Sequence, residues 1–213
     1  MLRPRHNLRH GSVNILTFDL DGILINSDGL HDKAFIRALE AEGLKDTAQA
    51  YRELIAEKPL EAISTRRKLA TLGIEAYYDV VKARKDECFL ETIDQIQTNP
   101  FLVRDLANVV ITHGVRNVGV VTNCTEQMAV LLLGRIGLLG RVQYIAAREG
   151  EATKPDPALY FRAAEELGYQ RGDHWLAFED SDQGVAAARA AGVTEVIKTN
   201  YQTVQERLRL CAL

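Results

Sequence analysis

Long apolar runs are missing from this chain of 213 residues: the densest patch, Ala129 to Leu133, is interrupted by Gly134 and Arg135, well short of the roughly 18 residues a bilayer helix needs. No membrane span or membrane partner is expected. Excess basic charge is missing too, since 26 Lys and Arg stand against 29 Asp and Glu for a formal net charge of −3. That leaves no broad cationic footprint, so DNA and RNA are not expected partners. Cysteine is sparse: Cys88, Cys124 and Cys211 are odd in number, scattered and without metal-ligand spacing. Such usage suits a reducing compartment, and the expected location is cytoplasmic. The first residues carry Arg3, Arg5 and Arg9 with Pro4 among them but no apolar stretch of a secretory signal, and residues 1–12 are read as a disordered basic tail. Internal repeats and low-complexity segments are also lacking.

What is present is a globular composition, 46% hydrophobic and 26% charged, which argues against a wholly disordered chain. Val13 to Phe18 is a short apolar run stopped by Asp19 and Gly22, the pattern of a buried strand. Between Ser27 and Gln97 the spacing turns helical, with Ala34, Phe35, Ala38 and Leu39 recurring first and Tyr51, Leu54 and Ile55 after Gly43. Leu60 to Leu72 and Tyr77 to Ile96 continue it, so residues 27–97 are predicted to be an all-helical second domain. After Pro100, strands at Val118–Val121, Tyr144–Ala147, Trp175–Phe178 and Val193–Ile197 alternate with helices. This alternation predicts an α/β fold with a doubly wound parallel sheet, assembled from residues 13–26 and 98–213.

Ligands of such a sheet sit beyond the carboxyl ends of its strands. The residues that follow the predicted strands are Asp19-Leu20-Asp21-Gly22, Thr122-Asn123, Lys154-Pro155 and Glu179-Asp180-Ser181. Four carboxylates on one rim repel by about 3 kcal/mol per pair at 6 Å and an effective dielectric of 20, more than Lys154 alone can offset. A hard divalent cation with oxygen ligands resolves the conflict, and Mg2+ combines one or two carboxylates with a substrate phosphate. The rim is therefore predicted to be a Mg2+-dependent phosphate site. Covalent catalysis through an aspartyl-phosphate fits these residue types.

Bland readings exist for each motif. Asp-x-Asp-Gly occurs in Ca2+ loops, but Ile23 and Leu24 stand where an EF-hand wants an acid or amide and a glycine. Thr122 or Thr125 could cap the next helix, Asp156 and Pro157 could open another, and Asp182 could serve as a capping acid. Their order along the chain favours the chemical reading.

In that order, Phe18-Asp19-Leu20-Asp21-Gly22, Val121-Thr122-Asn123, Lys154-Pro155-Asp156-Pro157 and Phe178-Glu179-Asp180-Ser181 with Gly184 resemble the four motifs of the haloacid dehalogenase superfamily. The helical block falls where that family inserts its C1 cap into a Rossmannoid core. The resemblance implies Asp19 as nucleophile and Asp21 as general acid/base, Thr122 and Lys154 as phosphate ligands, and Asp19, Asp21 through its backbone carbonyl, Glu179 and Asp180 as the Mg2+ site. Within the superfamily the chain looks like the beta-phosphoglucomutase-like sugar-phosphate phosphatases and mutases, which implies substrate contacts from Asn123, Ser27, His31 and Lys85. Phe101 departs from the glycine usual after Pro100. The expected activity is a phosphatase acting on a small phosphorylated metabolite, a sugar or polyol phosphate, in a monomer or weak dimer. A phosphosugar mutase is the alternative, and a noncatalytic binding module is more remote, because a mere scaffold has no need of clustered like charges.

Overall fold

The computed structural model describes residues 13–27, 29–57, 65–113, 115–150 and 152–211. The expected basic tail and the start of the helix expected over Leu60–Leu72 lie outside the described residues. In chain order the strands are β1 (Ile15–Phe18), β2 (Ile25–Asn26), β3 (Gln97–Thr98), β4 (Asn117–Thr125), β5 (Tyr144–Arg148), β6 (Trp175–Glu179) and β7 (Glu195–Lys198). The α-helices are α1 (Leu30–Ala41), α2 (Lys45–Glu57), α3 (Thr65–Thr71), α4 (Tyr78–Leu90), α5 (Pro100–His113), α6 (Glu126–Arg135), α7 (Ala158–Glu166), α8 (Asp182–Ala190) and α9 (Val204–Cys211). Two compact units result, one formed by Met1–Ile25 with Thr98–Leu213 and the other by Asn26–Gln97.

The first unit is an α/β sheet of five strands in the order β5-β4-β1-β6-β7, with parallel pairing throughout. Its central strand is buried along its whole length, which is why β1 reads as an unbroken apolar run rather than an alternating one. From β1 the chain runs to β4 and β5 on one side, then returns to β6 and β7 on the other. The reversal beside β1 is the switch point at which ligands of open α/β sheets bind. Register carries the motifs to one level, since Phe18 pairs with Val120 of β4 and with Phe178 of β6, and the stacked rings of Phe18 and Phe178 lie 5.2 Å apart.

One face of the sheet packs on α7 and α8 through Ile15, Val121, Leu159, Tyr160, Trp175 and Ala187. Trp175 is buried and its indole N–H donates to Thr17 Oγ1 at 3.0 Å, so burying the ring leaves no orphan donor. Small side chains at Ala187 and Ala188 let α8 lie close to the strands. The last strand begins at Glu195, not at Val193 as the apolar pattern suggests. Gly192 adopts φ 85°, and the amides of Gly192 and Val193 return to the carbonyls of Arg189 and Ala188. Val193 is thus spent on closing α8.

The second unit is helical, with a core of Phe35, Ala38, Leu39, Tyr51, Leu69 and Val81. Within it Asp32 Oδ1 accepts from Lys68 Nζ at 2.5 Å and from the Tyr51 hydroxyl at 2.7 Å. Burial pushes the Asp32 carboxyl up, but these bonds outweigh it and hold the group below the usual carboxylate range. The single helix expected over Tyr77–Ile96 is broken: α4 ends at Leu90, where the Thr92 hydroxyl and amide both donate to Phe89 O. That local bonding competes with continuation of the helix.

Candidate active site

Asp19 directly follows β1, where the turn Leu20–Ile25 folds back on itself. The amides of Leu24 and Ile25 donate to Leu20 O, and that of Gly22 donates to Ile25 O at 2.9 Å. Gly22 has φ 75°, and a Cβ there would stand 2.1 Å from Asp180 Oδ2. The glycine therefore serves both the turn and the approach of the second acidic segment.

Lys154 is the hub. The residue is buried, 3% exposed, and its ammonium lies 3.0 Å from Asp19 Oδ1 and 2.7 Å from Glu179 Oε1, and donates to Val121 O at 2.7 Å. Burial alone would lower its pKa, but the two carboxylates more than offset that and hold it above its ordinary value. Asp19 Oδ1 also accepts the Leu20 amide at 2.8 Å. The peptide before Pro155 is cis, and the Lys154 amide donates to Asn123 Oδ1 at 2.8 Å, so Asn123 ties the lysine loop to the end of β4.

Glu179 is fully buried at the end of β6, with Oε1 accepting from Lys154 and from the Tyr160 hydroxyl. Its Oε2 is buried without a hydrogen-bond partner. Such an atom costs about 1–3 kcal/mol unless something compensates it. Ligand oxygens of Asp19, Glu179 and Asp180 lie within 4.8 Å of one another, the one such cluster among the described residues. At that separation two charges repel by roughly 3–4 kcal/mol at an effective dielectric of 20. Burial raises the carboxyl of Asp19, and Asp21's charge adds to this against the pull of Lys154. Burial, opposed by Lys154, likewise pushes Glu179 up to about 8, and burial with the charge of Asp19 pushes Asp180 up to about 7. A crowded set of hard oxygens held by one ammonium, with one oxygen left unpartnered, fits a small divalent cation.

Asp21 sits two residues beyond Asp19, and Cys124 Sγ donates to its Oδ2 at 3.1 Å. Burial and then the charge of Asp21 push the Cys124 thiol far up, so sulfur keeps its proton and is the donor. Thr122 is buried, and its Oγ1 accepts the Cys124 amide at 3.1 Å. The cap of α6 is Thr125, whose Oγ1 accepts from Met128, and the cap of α8 is Ser181, whose Oγ accepts from Gly184 at 3.1 Å. Asp182, suggested by the sequence as a capping acid near a positive helix end, lies in the first turn of α8 and also pairs with Lys198 at 2.7 Å.

The core unit thus contains Asp19, Asp21, Thr122, Asn123, Lys154, Glu179 and Asp180. Ser27, His31 and Lys85 belong to the helical unit, where the His31 ring stacks on Phe89 at 4.2 Å and its Nδ1 lies 3.3 Å from Lys85 Nζ. Ser27 is buried at the end of β2, and its carbonyl accepts the Leu30 amide at 3.0 Å. Sequence reasoning missed two participants. Tyr160 carries no motif signature, although its place six residues after Lys154 on the next helix could have suggested contact. Cys124 directly follows Thr122-Asn123, a neighbourhood that could have suggested contact with the site.

The haloacid dehalogenase-like hydrolase family model matches residues 16–198. With the expected fold and motif order in place, the chain belongs to the haloacid dehalogenase-like hydrolases and is an enzyme. Over 183 residues, 85% of this chain and 94% of the relative, it is 27% identical to fructose-1-phosphate phosphatase YqaB of Escherichia coli (strain K12). It is 25% identical over 187 residues to the phosphorylated carbohydrates phosphatase of Thermotoga maritima, covering 86% of this chain and 84% of that one. The structure of beta-phosphoglucomutase from Clostridium difficile superposes with a TM-score of 0.68 at 16% identity, covering 94% and 97% of the two chains, which establishes the shared fold.

Proposed function

We propose that the protein is a Mg2+-dependent phosphatase of a small sugar or polyol phosphate, working through an aspartyl-phosphate on Asp19. The observation that carries the reading is the placement of the Asp19 carboxylate 3.0 Å from the Lys154 ammonium and inside the 4.8 Å acidic cluster. Asp19, the Asp21 carbonyl, Asp180 and Glu179 are the residues assigned to Mg2+. When bound, the ion supplies positive charge for the phosphoryl oxygens and lets the carboxylates sit together.

In this reading an Asp19 carboxylate oxygen attacks phosphorus, the phosphorus–oxygen bond to the alcohol breaks, and Asp21 gives its proton to the departing oxygen. Asp21 then takes a proton from a water molecule as that water attacks phosphorus. The bond to Asp19 breaks, inorganic phosphate leaves, and both carboxylates return to their starting forms. Lys154 and the Thr122 hydroxyl neutralise charge on the transferred group. Glu179 holds Lys154 in place. Recognition of the rest of the substrate is assigned to Asn123 and, in the helical unit, to Ser27, His31 and Lys85.

Hydrolysis is favoured over phosphate return to the sugar because the two relatives quoted at 25–27% identity are both phosphatases by name. The test is phosphate release with Mg2+ over a panel of sugar, polyol and nucleoside monophosphates, with β-glucose 1-phosphate included. Free phosphate supports the phosphatase. Conversion of β-glucose 1-phosphate to glucose 6-phosphate without phosphate release supports the mutase, and a folded protein inert on every phosphoester with metal present refutes both.

A further inference from the structure

Cys124 has no role in the mechanism above, yet its sulfur is 3.1 Å from Asp21 Oδ2, across 103 residues of chain. Both ends of this contact are fixed. On the strand side the register of β4 against β5 shifts between Val121 and Thr125, and the Cys124 amide donates to Thr122 Oγ1 at 3.1 Å. On the loop side Asp21 forms an isolated bridge with Ile25, reinforced by the Gly22 amide bond to Ile25 O. With both backbones anchored, the S–H···O contact bears on the rotation of the Asp21 carboxyl.

We infer that Cys124 is a positioning residue for the general acid: its thiol engages Oδ2 of Asp21 so that Oδ1 is the oxygen that delivers the proton to the leaving alcohol. The inference deepens the phosphatase reading and rests on it. A general acid is effective only within hydrogen-bond reach of the oxygen it protonates, so its rotamer matters to the rate. A thiol suits the task because it is a weak donor. A charged donor such as an ammonium would hold Asp21 in its ionised form, whereas a neutral thiol or hydroxyl leaves it able to give and take the proton in each turnover.

This role has a signature that general loosening lacks. An alkyl oxide is a poor leaving group and needs its proton in the transition state, whereas p-nitrophenolate leaves without one. The experiment compares kcat/KM for fructose 1-phosphate and p-nitrophenyl phosphate, with Mg2+, in the wild type, Cys124→Ala, Cys124→Ser and Asp19→Asn. Cys124→Ala is expected to lose about tenfold on the alkyl ester and less than about twofold on the aryl ester, a fraction of the full general-acid contribution. Cys124→Ser, which keeps a donor, is expected to recover most of the alkyl activity. An equal loss on both esters, or no loss on either, overturns the inference while leaving the phosphatase reading intact. A folded wild type inert on these two esters and on every phosphoester of the panel above, or an Asp19→Asn variant as active as wild type, overturns the underlying reading and this inference with it; a wild type active only on another alkyl phosphate of the panel takes that ester as the alkyl arm of the same comparison.

Discussion

Among the described glycines, Gly184 leaves the least room for an added Cβ. A Cβ there would lie 1.8 Å from Glu179 Oε2, so even alanine must displace either the buried carboxylate or the first turn of α8. Gly184→Ala is expected to destabilise the protein by about 1–3 kcal/mol and to weaken Mg2+ binding, as measured by chemical denaturation and calorimetric titration. Unchanged values in both would show that the carboxylate is not confined as described. The same crowding sets a pH dependence. Glu179 and Asp180 are raised to about 8 and about 7 from ordinary values of 4.5 and 3.8. The folded state therefore binds more protons than the unfolded state between those limits, and stability from these groups is present at low pH and lost as pH rises through the folded values. In chelator, the melting temperature is expected to climb as pH falls from about 8 to about 5. Because Mg2+ competes with those protons, the stabilisation it confers should be larger at pH 8 than at pH 6. A larger Mg2+ effect at pH 6 would contradict the assignment.

At the scale of elements, the sheet was readable because burial on both faces leaves continuous apolar runs in β1, β4 and β6, and because carboxylates mark the strand ends. Boundaries were less readable where backbone bonding overrode composition, as at Val193, used in closing α8, and at Thr92, which stops α4 by bonding back to Phe89. The bond from Tyr51 to Asp32 joins α2 to α1 inside the helical unit. No sequence rule pairs those residues, since the partners are 19 apart and Tyr51 reads simply as an apolar helix position. Tyr51→Phe removes that donor and is expected to cost about 1–2 kcal/mol in denaturant unfolding. An unchanged midpoint would show that Lys68 alone satisfies Asp32. In the core unit the buried carboxylate of Asp105 accepts from Gln205 at 2.6 Å and from Arg209 at 2.7 Å, fastening α9 to α5. These are long-range contacts between ordinary surface residue types, and the sequence gives no sign of them.

For the whole molecule, order along the chain was the informative signal. Each motif alone has an innocuous reading, but three charged segments and a hydroxyl-bearing one following the strands require a common site once the strands are parallel and adjacent. Asp19, Glu179, Asp180 and Lys154 meet there, while Tyr160 and Cys124 enter only through packing. Substrate identity was not readable, because the rim sets the reaction and selectivity is assigned to the helical unit. The central claim is that Asp19 attacks phosphorus. Its most direct test is Mg2+-dependent phosphate release from sugar phosphates by wild type and Asp19→Asn, with folding checked by circular dichroism. The account predicts turnover in the wild type that chelator abolishes, and a loss of at least about a thousandfold in the folded variant. Retention of wild-type turnover by Asp19→Asn would contradict it.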